Sequence, residues 1–169
     1  MQYILIILLI ASFGIFILPA KLKKQKALIL SAVQLALFAY FAIRIPEITT
    51  AEARLLSFEW IPALGLNIEF VLDGLSMVFA LLITGIGVLI FLYAKAYMSS
   101  YSGTDKFFLY LMLFSGAMLG LVLSANLVLM FIFWELTSFL SYFLISFYHE
   151  KESARKAAFQ SLYITGFGG

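Results

Sequence analysis

The residue best suited to chemistry is Glu135, a carboxylic acid inside the segment FIFWELTSFLSYFLISF at residues 131–147. It is the only charged residue in the 42-residue run from Phe107 to Tyr148. A charge near the centre of a membrane costs at least ~2.5 kcal/mol, so a carboxyl group there is usually protonated, paired or facing water, and usually functional. We therefore predict that Glu135 binds a proton during ion translocation.

Polar side chains follow Glu135 toward the end of the same segment. They are Ser138, Tyr142, Ser146 and His149. On a helix that turns about 100° per residue, all four lie within about 60° of Glu135. This stripe predicts a proton relay, a hydrated half-channel between the carboxyl group and the cytoplasm. The structural alternative is that membrane serines bond to their own helix or to neighbouring helices, and that a histidine at a helix end is simply solvated.

Composition indicates a membrane protein and excludes several other classes. Hydrophobic residues make up 64% of the 169 residues, charged residues 12%, and the mean hydropathy is +1.06. The absence of cysteine excludes disulfides, thiolate metal sites and cysteine nucleophiles, and a single histidine excludes a multi-histidine metal site. One isolated acid does not make an intramembrane hydrolase. The net charge of +2 is too small to suggest a nucleic-acid partner. We also expect no cofactor, and a transport role rather than an enzymatic one.

Uncharged runs of about 20 residues predict the membrane-spanning helices. The expected fold is an all-α, polytopic transmembrane helix bundle in which residues 1–169 form a single transmembrane region. A reversal at Ser124-Ala125-Asn126 divides the longest run. The sixth run, Ala157–Gly169, has only 13 residues and predicts a truncated last span of a longer protein. The five full spans are Gln2–Ala20, Ala27–Ile43, Gly74–Ala94, Phe107–Leu123 and Leu127–Tyr148.

The basic residues predict an orientation. If the N-terminus lies outside the cell, nine of the 11 Lys and Arg residues fall in cytoplasmic loops, and only Arg44 and Arg54 fall outside. This positive-inside bias predicts a multi-pass protein of the cell membrane, surrounded by the lipid bilayer. The external loop, at about residues 44–73, contains EWIPALGLNIEFVLDG, whose alternating pattern around Gly65 predicts a short β-hairpin between spans two and three.

A small-residue motif occurs in the fourth span. GAMLG places Gly116 and Gly120 four residues apart, on one face of a helix. Such pairs let membrane helices approach closely, so these glycines are predicted to serve helix packing.

Three motifs resemble one family of transport proteins. LDGLS at residues 72–76, GAMLGLVLSAN at 116–126 and FWELTS at 133–138 together resemble the N-terminal region of the large A subunit of Mrp-type multisubunit sodium/proton antiporters. The resemblance is dense over residues 60–169. The same superfamily includes the antiporter-like subunits of respiratory complex I and of membrane-bound hydrogenases.

The resemblance implies a function and a set of partners. The WELTS glutamate of the family, a key group of its proton pathway, matches Glu135, and its lysine partner belongs to later helices. We thus expect a subunit that exchanges H+ for Na+ or a similar cation together with other membrane subunits, and that is inactive alone. A proton-pumping subunit of a complex I-type quinone oxidoreductase or hydrogenase remains an alternative. So does a non-transporting structural membrane fragment.

Overall fold

The computed structural model describes residues 10, 14, 25–50, 54–64, 66–101, 103–148 and 152–168. Within these ranges the chain forms six helices and one two-stranded sheet, connected by short 3-10 turns. The helices are α1 (Lys26–Ile43), α2 (Ile45–Thr50), α3 (Gly74–Tyr97), α4 (Thr104–Leu123), α5 (Leu127–Ile145) and α6 (Glu152–Gly168). The strands are β1 (Arg54–Ile61) and β2 (Leu66–Leu72).

The predicted polytopic helical fold is confirmed. In the described part of the chain, four helical segments are long and apolar enough to cross a membrane. They are Lys26–Ile48, Gly74–Tyr97, Thr104–Leu123 and Leu127–Ile145. The predicted reversal at Ser124-Ala125-Asn126 separates the last two. The first predicted span, Gln2–Ala20, lies outside the described residues except for two positions.

Two helices begin earlier than the apolar runs indicate. α4 starts at Thr104 because Gly103 takes a left-handed conformation, with φ of 71°, and Asp105 then lies in the first turn, where the helix dipole favours an acid. α6 starts at Glu152, five residues before the uncharged run that begins at Ala157. Glu152 and Lys156 pair one turn apart at 2.9 Å, and helical residues that face water can carry charges freely.

A polar contact lies at the centre of the α1–α3–α4 bundle. The Gln34 side chain of α1 is fully buried, and its Nε2 donates a hydrogen bond of 2.7 Å to Ser115 Oγ of α4. Gly87 of α3 lies against the same amide, so that a Cβ there would come within 3.2 Å of Gln34 Cδ. Bonds between polar side chains hold membrane helices together where the hydrophobic effect cannot. Gln34 therefore connects three helices.

A second contact fixes one end of the same bundle. Lys26 Nζ, at the start of α1, forms an ion pair with Asp105 and a hydrogen bond to Thr104, both at the start of α4. The same ammonium lies 5.3 Å from the centre of the Phe108 ring, within the range of a cation–π contact. The starts of α1 and α4 are thus held together directly.

The loop that was predicted to be external folds into the predicted hairpin, preceded by the short helix α2. β1 and β2 pair antiparallel, with Ser57 opposite Glu69, and a β-bulge lies between Glu59 and Ile61. The first strand begins at Arg54, upstream of the segment that sequence indicated. This pairing uses the backbone N–H and C=O groups along only one edge of β2.

The other edge of β2 holds the turn between α4 and α5. Ala125 N donates to the carbonyl of Glu69 at 2.8 Å, and Asn126 Nδ2 donates to the carbonyl of Asn67 at 2.8 Å. Ser124 completes the contact through an antiparallel bridge to Phe70. The hairpin therefore sets the position at which α5 begins.

Asp73 begins α3 with a capping box, which predicts a stability change. Its carboxylate accepts from Ser76 N at 2.8 Å, while Ser76 Oγ accepts from Asp73 N at 2.8 Å. The Ser76 backbone N–H, more than any other cause, holds the pKa of the Asp73 carboxyl below its ordinary value. Asp73→Ala should lower the free energy of unfolding by about 1 kcal/mol at neutral pH, measured by thermal unfolding in detergent.

The pH dependence of this effect has a definite sign. Because the pKa is lowered by folding, the charged group stabilises the fold above its ordinary pKa of 3.8, and this contribution is lost as the pH falls through the lowered value. The difference between wild type and Asp73→Ala should therefore shrink in acid. Asp73→Asn is the matched control, since it keeps a capping oxygen without the titration. An equally large loss in Asp73→Asn at neutral pH contradicts the assignment to capping.

Candidate proton-binding site

Glu135 lies halfway along the helix α5. The helix starts at Asn126, whose Oδ1 accepts a hydrogen bond of 2.8 Å from Leu129 N and so caps the first turn. Glu135 is the ninth residue after this cap, which at 1.5 Å per residue is about 13 Å into the helix. In a hydrocarbon layer of about 30 Å this depth is close to the midplane.

The carboxyl group is partly enclosed and has an open acceptor. Glu135 is half-buried, and its Oε1 is inaccessible to solvent and accepts no hydrogen bond within the described part of the chain. Among the side-chain oxygens and nitrogens described, only Gln34 Oε1 shares this property. Most buried polar atoms are paired, because an unpaired one costs about 1–3 kcal/mol. The open Oε1 leaves Glu135 able to accept a hydrogen bond or a proton.

Of the predicted relay residues, Ser138 and Tyr142 lie on the face of α5 that carries Glu135, and Ser146 directly follows the last residue of the helix. Ser138 is 4% exposed and donates from Oγ to the Trp134 carbonyl at 3.2 Å, and Ser146 donates to the Phe143 carbonyl at 3.3 Å. Both serines thus make the bonds within their own helix that the structural alternative describes. Their oxygens can still accept hydrogen bonds, so the relay stays a prediction. His149 lies outside the described residues.

The two faces of α5 contact different helices. Tyr142, on the face of the stripe, meets the ring of Phe159 in α6 at 5.4 Å between centroids. Phe143 stacks on Tyr110 of α4 at 5.1 Å. The polar stripe is therefore directed toward α6, and the Phe143 side of the helix toward α4.

The glycine motif lies in α4 and also faces α5. Gly120 is buried, and a Cβ built there would lie 2.3 Å from Cε1 of Phe133 in α5. Gly116 is half-buried, one turn earlier. Only a glycine at position 120 leaves room for the Phe133 ring, which also lies 6.2 Å from the ring of Phe70 in the hairpin.

The contacts that fix the position of α5 were not predicted from the sequence. Asn126 was identified as part of a turn but not as a residue that joins the hairpin to the helix cap. Its signal in the sequence was an Asn directly before an apolar run, which is typical of an N-cap. The described residues contain no group of three or more His, Cys, Asp or Glu side chains that could hold a metal ion.

Family models match two parts of this chain. Residues 60–108 match the N-terminus of chain 5 of NADH-ubiquinone oxidoreductase, complex I. Residues 124–169 match the transmembrane region shared by NADH:quinone oxidoreductase and the Mrp antiporter. The second match includes Glu135 and its polar stripe.

Curated relatives carry antiporter names. The Na(+)/H(+) antiporter subunit A1 of Staphylococcus haemolyticus is 47% identical over 137 residues, and that of Staphylococcus aureus is 43% identical over 138 residues. These alignments cover 81% and 82% of this chain. The chain spans 17% of the length of either relative.

Solved structures have the same fold. The Mrp complex from Dietzia sp. DQ12-45-1b contains a chain that is 30% identical and matches with a TM-score of 0.81, over 97% of this chain and 18% of that one. A chain of an archaeal membrane-bound sulfane sulfur reductase is 18% identical and shares the fold, with a TM-score of 0.80 over 99% of this chain and 34% of its own. The chain is a multi-pass cell-membrane protein that belongs to the family of the A subunits of Mrp-type multisubunit Na+/H+ antiporters, and it corresponds to their N-terminal region.

Proposed function

We propose that this chain contributes a proton-binding glutamate, Glu135, to cation/proton antiport by a multisubunit membrane complex. The complex exchanges external H+ for cytoplasmic Na+ or a similar cation. The observation that carries the proposal is the Glu135 carboxyl group, held midway along a membrane helix with one buried oxygen that accepts no hydrogen bond from the described residues. The antiporter names of relatives at 47% and 43% identity support the same conclusion.

The surroundings of Glu135 suggest how it is loaded and unloaded. A nearby cation stabilises the ionised form of a carboxyl group, so the approach of a cation would favour release of the proton. By resemblance to the family, that cation is a lysine on a later helix. The hydroxyls of Ser138, Tyr142 and Ser146 extend from Glu135 toward the end of α5, which we place at the cytoplasmic surface. Each hydroxyl can accept one hydrogen bond while donating another, as a proton relay requires.

A proton pump driven by electron transfer is the second candidate. It is favoured by the match of residues 60–108 to the N-terminus of complex I chain 5. In that case the same glutamate would serve a complex whose energy comes from quinone or hydrogenase chemistry. The two candidates differ in what starts proton movement, namely a cation gradient or an electron donor.

Inverted membrane vesicles separate these two candidates. The chain is expressed with the complete set of subunits encoded beside its gene, and the vesicles are acidified inside. Addition of NaCl, KCl or LiCl should release protons if the complex is an antiporter, recorded with a pH-sensitive dye. If no cation releases protons, while NADH or a quinol drives acidification that depends on this chain, the antiporter function is wrong.

We further propose that the hairpin is external and that the start of α6 is cytoplasmic, with the N-terminus outside. The sequence contains no cysteine, so a single cysteine introduced into this chain is the only site on it that a thiol reagent can label. Ser57→Cys, in β1, should react with a membrane-impermeant maleimide in intact cells. Ser153→Cys, in the exposed first turn of α6, should react only after permeabilisation. The reverse labelling pattern contradicts the orientation.

A further inference from the structure

We propose that the hydroxyl of Thr165, in α6, is a positioning donor for the Glu135 carboxylate. The inference rests on the proposed function and adds a residue to it. The hydroxyl would donate to the α6 backbone while Glu135 is protonated, and to the carboxylate once Glu135 has lost its proton. Three observations support this role.

The first observation concerns the face of α5 that carries Glu135. The ring of Tyr142 reaches Phe159 of α6 at 5.4 Å, which shows that this face of α5 packs against α6. Glu135 precedes Tyr142 by seven residues, or two turns. It therefore lies within about 20° of the same face, about 10 Å nearer the start of α5.

The second observation is the position of Thr165. Ala158 is the fully buried residue of α6, at 0% exposure, and so marks the face of α6 that packs against α5. Thr165 follows Ala158 by two turns on the same face and is half-buried. The Tyr142–Phe159 contact joins the end of α5 to the first half of α6, which follows after a short connection, and we infer from this that the two helices are antiparallel. Glu135 is seven residues before Tyr142 and Thr165 is six residues after Phe159, about 10 Å and 9 Å along their helices from this contact. Thr165 therefore comes to the level of Glu135.

The third observation is the hydrogen bonding of the two groups. Thr165 Oγ1 donates to the Ser161 carbonyl at 2.8 Å, while Glu135 Oε1 is buried and accepts nothing from the described residues. A hydroxyl has one proton and can donate to only one of these acceptors. Threonine in helices populates two side-chain rotamers, so the exchange needs only a rotation. A bond to an ionised carboxylate is stronger than a bond to a neutral carbonyl, which favours the exchange after deprotonation.

Other titratable groups lie farther from this pair. On α4, Tyr110 stacks on Phe143, two turns from Glu135. On α5 the nearest is Tyr142, and on α6 the ionisable residues Glu152, Arg155 and Lys156 occupy the first turns. Tyr163 is 65% exposed, on the face of α6 that is turned away from α5. In the described part of α4, α5 and α6, none of these titratable groups thus lies at the level of Glu135 and Thr165.

Antiport by the complete complex in inverted vesicles tests the proposal. Thr165→Val removes the donor at almost unchanged volume. It should slow transport about 5- to 10-fold and move the pH of half-maximal transport upward by about half a unit to one unit, the effect of losing one hydrogen bond to the charged form. Thr165→Ser keeps the donor and should restore the rate and the pH profile. Thr165→Ala should shift the profile as valine does.

Thr137→Val is the matched control. Thr137 Oγ1 also bonds within its own helix, to the Trp134 carbonyl at 2.7 Å, at the same depth but on the other side of α5. This variant should leave the pH profile unchanged. An unchanged profile in both Thr165→Val and Thr165→Ala, the same shift in Thr137→Val, or no rescue by serine overturns the proposal. The proposed function fails separately, if Glu135→Gln transports normally.

Discussion

Replacing Glu135 by glutamine should abolish antiport. Glutamine keeps the size of the side chain and can accept hydrogen bonds, but it cannot bind and release a proton. Groups that transfer protons typically contribute about 100-fold or more to a rate, so we expect cation-dependent proton release to fall to the background of vesicles without the complex. The measurement is dye fluorescence in inverted vesicles, with subunit abundance checked by immunoblot.

Two further variants give this prediction its controls. Glu69→Gln makes the same chemical change in β2, where the carboxylate accepts from Ser57 Oγ at 3.0 Å, outside the membrane-spanning segments. It should transport at the wild-type rate. Glu135→Asp keeps the carboxyl group but places it about one bond length closer to the backbone, and it should retain part of the activity. Normal transport by Glu135→Gln contradicts the assignment of a translocated proton to this residue.

Gly120→Ala should destabilise the helix pair α4–α5, by about 1–3 kcal/mol, the usual cost of overpacking. The new Cβ would lie 2.3 Å from the Phe133 ring, so that either the ring or the helix must move. The expected result is a lower midpoint of thermal unfolding in detergent. This loss of stability is opposite in sign to the usual effect of replacing Gly by Ala within a helix, which stabilises the helix by about 0.5–1 kcal/mol.

A double-mutant cycle attributes this effect to one contact. Phe133→Leu makes the opposing side chain smaller, and combining it with Gly120→Ala should cost less than the sum of the single changes. Gly166→Ala, in α6, is the control, because a Cβ there meets nothing within 4 Å. Additive costs in the cycle, or an equal loss in Gly166→Ala, would show that Gly120 is not required for the approach of Phe133.

Sequence alone predicted the elements because the membrane constrains them strongly. A stretch of apolar residues long enough to cross the hydrocarbon layer must satisfy its backbone internally, so the runs beginning at Ala27, Gly74 and Leu127 had to be helices. The reversal at Asn126 followed from the length of the uncharged run. Glu135 stood out for the same reason, since a single carboxyl in such a run has few explanations.

Sequence could not predict contacts between distant segments. The bond from Asn126 to Asn67, the ion pair of Lys26 with Asp105, and the bond from Gln34 to Ser115 each join residues at least 59 positions apart. No periodicity within one helix encodes such a pairing. The helix starts at Thr104 and Glu152 were missed because charged residues at the ends of membrane helices read as loops in a hydropathy pattern.

The most direct test of the central claim is an infrared measurement of the Glu135 carboxyl itself. Difference spectra of the complete complex are recorded in lipid as the pH is lowered, for wild type, Glu135→Gln and Glu69→Gln. We predict that a carbonyl stretching band of a protonated carboxylic acid grows in wild type and in Glu69→Gln and is missing in Glu135→Gln. An identical band in all three proteins would contradict the claim that Glu135 takes up a proton within the membrane.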